Sequence, residues 1–239
     1  SGGQPEIYGF APDAVFDFDS VDDESAVRFL KDNGLYDERF ICCLSGYRNT
    51  PTWEYFGGTP DARKDSAKAE KVDMDNGIVR EMICQAVREE GVKVLVCAEQ
   101  VPELRLIKDL VYDRLPEDVK EKCVVLDTLW SPQMALGVYR RSAAVAGIEM
   151  HSQVMSLGNG VPAVILRHPG FGSKSDMWNT VGAGCWLIDI DDADACRNAC
   201  MAVKSILEDP AGAEKVVFRA REIIDSTRNA ALSRSFYTP

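Results

Sequence analysis

A C-x-x-C pair, a G-x-G-x-x-G turn and an apolar run of bilayer-spanning length are all missing from this 239-residue chain. The first absence removes the usual anchor of a structural zinc site. The second argues against a classical dinucleotide site, and the third against a membrane span. Cations are also short. Lys and Arg number 27 against 38 Asp and Glu, a net charge of -11, without the positive excess that broad nucleic-acid binding requires. A small anionic ligand needs only a local cluster of cations and stays allowed. No secretory signal is visible, and Ser1-Gly2-Gly3 reads as linker rather than targeting segment.

The eight cysteines are scattered. Cys42, Cys43, Cys97, Cys123 and Cys185 fall in apolar, strand-like runs, and Cys84, Cys196 and Cys200 in helical patterns. Buried free thiols in a reducing, cytoplasmic compartment fit that placement better than disulfides.

Apolar strand runs alternate with helical patterns six times, which predicts an α/β fold with a Rossmann-like, doubly wound parallel sheet of about six strands. Strands are expected over 40–44, 93–98, 123–127, 143–148, 161–166 and 184–190. Helices are expected over 23–33, 76–90, 103–115, 131–141, 192–208 and 213–232, with a shorter one from about 151. Residues 1–20 read as a linker or edge segment, with alternation over Val15-Phe16-Asp17-Phe18-Asp19, and 21–239 as a single domain. A polar stretch with Gly and Pro runs from Ser45 to about Asp75, longer than most loops and therefore a functional candidate. Asp17-x-Asp19 and Asp189-x-Asp191 imitate metal-binding pairs, but caps and turns before helices account for them more economically. Gly170-Phe171-Gly172-Ser173-Lys174 lacks the Gly-Lys pair of a phosphate loop.

The organising stretch is 142–174, which carries both histidines of the chain. His151 and Ser152 stand past a strand and at a helix start, where unpaired N–H groups favour an anion, or simply a cap. Arg48 stands just beyond the first strand's carboxyl end, where open α/β sheets bind ligands. His168 and Lys174 follow the fifth strand. Tyr47, Trp53 and Trp178 are open between stacking on a ligand and ordinary packing.

Ala144-Val145-Ala146-Gly147-Ile148-Glu149-Met150-His151-Ser152, then Gly160-Val161-Pro162-Ala163-Val164-Ile165, then Lys174, resembles the polysaccharide pyruvyl transferase family. The order of elements is similar over most of 35–190, and the motif is specific over 143–174. The resemblance implies the C-terminal domain of a glycosyltransferase B-like fold and a missing N-terminal domain. It also implies carboxyvinyl transfer from phosphoenolpyruvate to a sugar hydroxyl in polysaccharide or cell-wall glycan synthesis. The partners would be phosphoenolpyruvate and a glycan or nucleotide-sugar acceptor, with no cofactor and no metal. His151 would be the catalytic acid or base. Arg48, Glu149, Ser152, His168 and Lys174 would bind the substrate.

Glu149 departs from that pattern, because the family has an arginine there. A carboxylate repels phosphate and carboxylate groups. Either Arg48, Arg167 or Lys174 substitutes, or the ligand differs. The alternatives are a nucleotide-sugar-dependent glycosyltransferase or epimerase domain, in which Glu149 holds ribose or sugar hydroxyls, and a non-catalytic glycan-binding domain.

Overall fold

The continuous apolar runs become strands because both faces of the sheet are covered. All five residues of β1 (Phe40–Leu44) are buried. Ile41 and Cys43 enter one core, while Phe40, Cys42 and Leu44 enter the other, as the two-residue period of a strand requires. The computed structural model describes residues 12–48 and 62–235. Trp53, residues 1–11 and most of the expected loop after Arg48 lie outside them.

The other strands are β2 (Lys93–Cys97), β3 (Cys123–Val125), β4 (Ala144–Gly147), β5 (Ala163–Arg167) and β6 (Leu187–Asp189). They form one parallel sheet in the order β3-β2-β1-β4-β5-β6. Helices α1 (Asp23–Asp32) and α5 (Pro132–Tyr139) cover one face. Across the other lie α2 (Ala62–Glu90), α6 (His151–Gly158), α8 (Ala195–Glu208) and α9 (Pro210–Ser235). Short helices α3 (Val101–Leu106), α4 (Glu117–Lys120) and α7 (Met177–Thr180) fill connections.

Strand order reverses between β1 and β4, where parallel sheets open a crevice at their carboxyl edge. Leu44 is level with both Cys97 of β2 and Gly147 of β4. The segments leaving these three strands therefore start side by side.

Local chemistry explains most boundaries. Asp22 caps α1 by accepting the Ser25 N–H at 3.0 Å, and Ser131 caps α5 by accepting the Met134 N–H at 3.2 Å. Several expectations are corrected. Residues Ala14–Asp17 form a 3-10 turn, not an edge strand, because Asp13 accepts the Val15 N–H at 2.9 Å and Phe16 is buried. Helix α2 begins at Ala62, well before the expected 76, so the polar stretch before Asp75 is part helix. The expected helix over 103–115 is instead α3, followed by a π turn over Ile107–Val111 and a 3-10 turn over Tyr112–Arg114. The start of the expected last strand is a 3-10 turn over Gly184–Trp186. Asp191 and Asp192 do not cap α8, which begins at Ala195. Asp191 pairs with Arg48 instead. All eight cysteines are free thiols, and Cys185 is exposed rather than inside a strand.

Candidate functional site

Segments leaving β1, β2 and β4 bring the polar groups of the carboxyl edge together. After β1, Ser45 is buried and bonded to Asn76. Arg48 then grips Asp75 with two nitrogens, at 3.0 and 2.8 Å, and reaches Asp191 at 2.6 Å. This fork ties the β1 exit to α2 and to the β6 exit. Arg48 is therefore neutralised by two carboxylates, which limits it as a ligand for an outside anion. Arg167 is likewise spoken for, by Asp189 at 3.2 Å and Asp176 at 2.9 Å. Lys174 is exposed and makes no ion pair among the described residues.

After β2 come three residues that the local sequence did not mark. Glu99 accepts from the Ser152 N–H at 3.2 Å and the Ser152 hydroxyl at 3.1 Å, and its other oxygen lies 3.0 Å from His151 Nδ1. The anion expected at the start of α6 is thus supplied by the protein itself. Tyr139 donates to the Ser152 hydroxyl at 3.2 Å, extending the chain of bonds into the core. With Nδ1 committed to Glu99, His151 has Nε2 left for a ligand. Gln100 Nε2 lies 3.4 Å from Glu149. Glu103 accepts both the Glu99 and Gln100 N–H groups at 2.9 Å.

Two pockets open on this edge and share His151. One, about 270 Å³, is mostly apolar and is lined by Phe18, Leu129, Trp130, Tyr139 and Met155, with Glu99 and Ser152 at its polar end. Trp130 is braced edge-on by Phe29 and Tyr139, with ring centroids 5.6 and 5.7 Å away. The other, about 330 Å³, is polar and is lined by Tyr47, Arg48, Gln100, Glu149, His168 and Lys174. The structure therefore gathers Arg48, Glu149, His151, His168 and Lys174 around one space and leaves Ser152 on the apolar side. Trp178 is not there. It is fully buried and donates its indole N–H to the Ala163 carbonyl at 3.0 Å.

The two histidines are pushed in opposite directions. The bond to Glu99 raises the His151 pKa above the ordinary histidine value. Burial lowers that of His168, and the nearby Arg48 charge adds to the effect. With only two imidazoles to follow, an NMR titration is expected to show His151 protonating above, and His168 below, about pH 6.5. Coincident titration curves would contradict the Glu99–His151 geometry. The linkage signs follow. The stabilisation from His151 is complete below its unfolded value and fades as pH rises through its folded value. His168 destabilises the fold as pH falls below the ordinary histidine range, because the folded state resists its protonation.

No protein-family model and no curated protein matches the chain. Solved structures do. ADP-heptose LPS heptosyltransferase II of E. coli superimposes with a TM-score of 0.54 at 11% identity, covering 80% of this chain and 54% of that one. An α,α-trehalose-phosphate synthase (UDP-forming) from Burkholderia xenovorans, in complex with glucose-6-phosphate, gives 0.53 at 11% identity, over 89% and 45%. The C-terminal CMP-Kdo binding domain of WaaA from Acinetobacter baumannii gives 0.50 at 12%, over 84% and 96%. The chain spans about half the length of the first two proteins and nearly all of the isolated domain. At these identities the likeness shows the fold, that of a glycosyltransferase B-like domain. Among the described residues, no helix is long and apolar enough to cross a membrane.

Proposed function

We propose that this domain binds the nucleotide-sugar donor of a glycosyl transfer. The observation that carries the reading is the pair of pockets meeting at His151, one apolar and aromatic, one polar with a free lysine. A nucleotide sugar has the same division: a flat base, a charged phosphate link and a hydroxylated ring. The base would sit against Trp130. The phosphates would cross at His151 toward Lys174, and the sugar would lie toward Gln100 and Glu149. The solved structures of similar fold support it, since their names mention ADP-heptose, UDP formation and CMP-Kdo.

In such a transfer the acceptor hydroxyl oxygen bonds to the anomeric carbon, and the bond from that carbon to the phosphate oxygen breaks. Its electron pair leaves with the nucleotide, and the hydroxyl proton passes to a base on the acceptor side. Because Glu99 favours the protonated form of His151, the imidazole suits the leaving phosphate better than it suits that base. Lys174 would add a second positive charge.

Carboxyvinyl transfer from phosphoenolpyruvate is the second reading. The meeting of Arg48, His151, His168 and Lys174 around one pocket supports it, while Glu149 and the two carboxylates on Arg48 weigh against it.

Calorimetry with nucleoside diphosphates, CMP, their sugar esters and phosphoenolpyruvate separates the two. Nucleotide binding is expected. Trp130→Ala should weaken it by about fivefold or more, the loss expected from about 1–3 kcal/mol of base stacking. Lys174→Ala should weaken it by about tenfold through the lost charge. Binding of phosphoenolpyruvate with no response to any nucleotide would reverse the order of the readings.

A further inference from the structure

A second polar pocket opens at the far end of α6, away from the candidate site. His151 starts this eight-residue helix and Gly158 ends it, a span of about 12 Å. The pocket, about 270 Å³, is lined by Asp17, Asp19, Arg140, Arg221, Asp225 and Arg228. Three cations and three carboxylates meet there without cancelling. Arg228 takes Asp17 and, at 2.8 Å, Asp225. Among the described residues, Arg140 and Arg221 come within 4.0 Å of no carboxylate oxygen, and Asp19 of no cationic nitrogen.

Both arginines are placed by the turn that follows α6. The Asn159 amide donates to the Phe18 and Met155 carbonyls at 2.7 and 2.8 Å, which leaves its oxygen to accept from Arg140 Nη2 at 2.5 Å. Arg221 Nη1 lies against the next residue, 3.6 Å from the point where a Cβ on Gly160 would stand. Neither guanidinium is needed to close the helix end. The Met155, Ser156 and Leu157 carbonyls already accept from the N–H groups of 159–161 and from the Asn159 side chain.

We propose that this pocket is a second ligand site, for a compact zwitterion whose acid head bridges Arg140 and Arg221 and whose ammonium group faces Asp19. Guanidinium forks favour carboxylate and phosphate oxygens, and two of them suit one such head. The aspartates oppose a bare anion, and the arginines oppose a bare cation. A molecule carrying both signs satisfies the two arginines and Asp19 together. Opposite charges held more than 4.0 Å apart leave room for it, and a volume just under that of drug-sized pockets keeps it small. The inference is independent of the nucleotide-sugar reading, because this pocket shares no lining residue with the two that meet at His151.

The test follows the backbone amide NMR signals of Asn159 and Gly160 in the whole chain during titration. L-serine and phosphoethanolamine serve as zwitterions, one headed by carboxylate and one by phosphate. Acetate, inorganic phosphate and ethylamine supply each charge alone. At least one zwitterion should shift both signals, binding about tenfold tighter than its own acid head. The tighter of the two tells a carboxylate site from a phosphate site. Arg140→Gln and Arg221→Gln should each weaken that binding about tenfold. Asp19→Asn should abolish the preference for the zwitterion over its acid head. All three side chains are exposed, and the comparison of probes on the unaltered chain decides even where a variant fails to fold. An acid head that binds as tightly as its zwitterion overturns the proposal. So does binding that survives both arginine substitutions, or silence of Asn159 and Gly160 with every probe.

Discussion

Replacing Glu99 with alanine should shift His151 to a lower titration point and unfold the domain at a lower temperature. One carboxylate serves three donors: the His151 imidazole, the Ser152 N–H and the Ser152 hydroxyl. Its side chain is only 19% exposed, so water replaces these bonds poorly. Bonds to a charged group contribute about 1.5–3 kcal/mol each, but three that share one acceptor are not additive. A loss of about 3 kcal/mol is the working figure, equivalent to about 6–12 °C in a domain of this size. The pH dependence separates the parts. Glu99 raises the His151 pKa in the folded state, so the gap between wild type and variant should be widest below about pH 6.5. It should narrow as pH rises through the folded His151 pKa, leaving the contribution of the Ser152 bonds, which do not titrate there. Without Glu99, His151 stands at a bare helix N-terminus, whose dipole further disfavours the imidazolium. Calorimetric melts at pH 5.5 and 8.5, with the histidine titration, make the comparison. A His151 titration unmoved by the substitution would refute the assigned pairing.

Gly147→Ala should be the most damaging single methyl in the described residues. Gly147 closes β4 with φ +150, a conformation that side chains rarely adopt, and an added Cβ would lie 1.9 Å from the Leu44 carbonyl oxygen. That carbonyl is backbone in the neighbouring strand, paired in register with Gly147, and it also accepts the Ile148 N–H at 3.1 Å. Nothing flexible is available to move. The β1 and β4 ends must part where the crevice begins, at a cost of about 4 kcal/mol or more. Soluble yield and thermal midpoint should fall together. Gly91→Ala is the control, because it also has positive φ but nothing lies within 4 Å of an added Cβ. If the two alanine variants melt alike, the close approach is not what Gly147 provides.

The strands were legible because a strand covered on both faces has no polar side to show. Phe40–Leu44 and the first four residues of β5, Ala163 to Leu166, announce themselves as unbroken apolar runs. Cap chemistry at Asp22 and Ser131 is equally local. The 13–18 segment misled because Val15, Phe16 and Phe18 alternate with aspartates as an edge strand would, while Asp13 bends the backbone into a turn. The helix over 103–115 broke up for a reason its periodicity does not carry: a π turn displaces the face presented by Ile107–Val111. Of the site, His151, His168, Arg48 and Lys174 could be nominated from their places beside strand ends. Glu99, Gln100, Glu103 and Trp130 could not, since each sits in an unremarkable stretch and takes its role from partners far along the chain.

From the amino-acid order alone come the α/β class, the six strands and the histidine at the start of a helix, because apolar period, caps and turns act over a few residues. Tertiary structure decided how the charges meet. Strand order β3-β2-β1-β4-β5-β6 puts the exits of β2 and β4 on the two sides of β1 at one edge of the sheet, so that Glu99 reaches across to His151, 52 residues away. The same fold carries Arg48 to Asp191, 143 residues away, and spends a cation that looked free. Electrostatic interaction depends on distance and burial, and both are set by strand order rather than by neighbours in sequence.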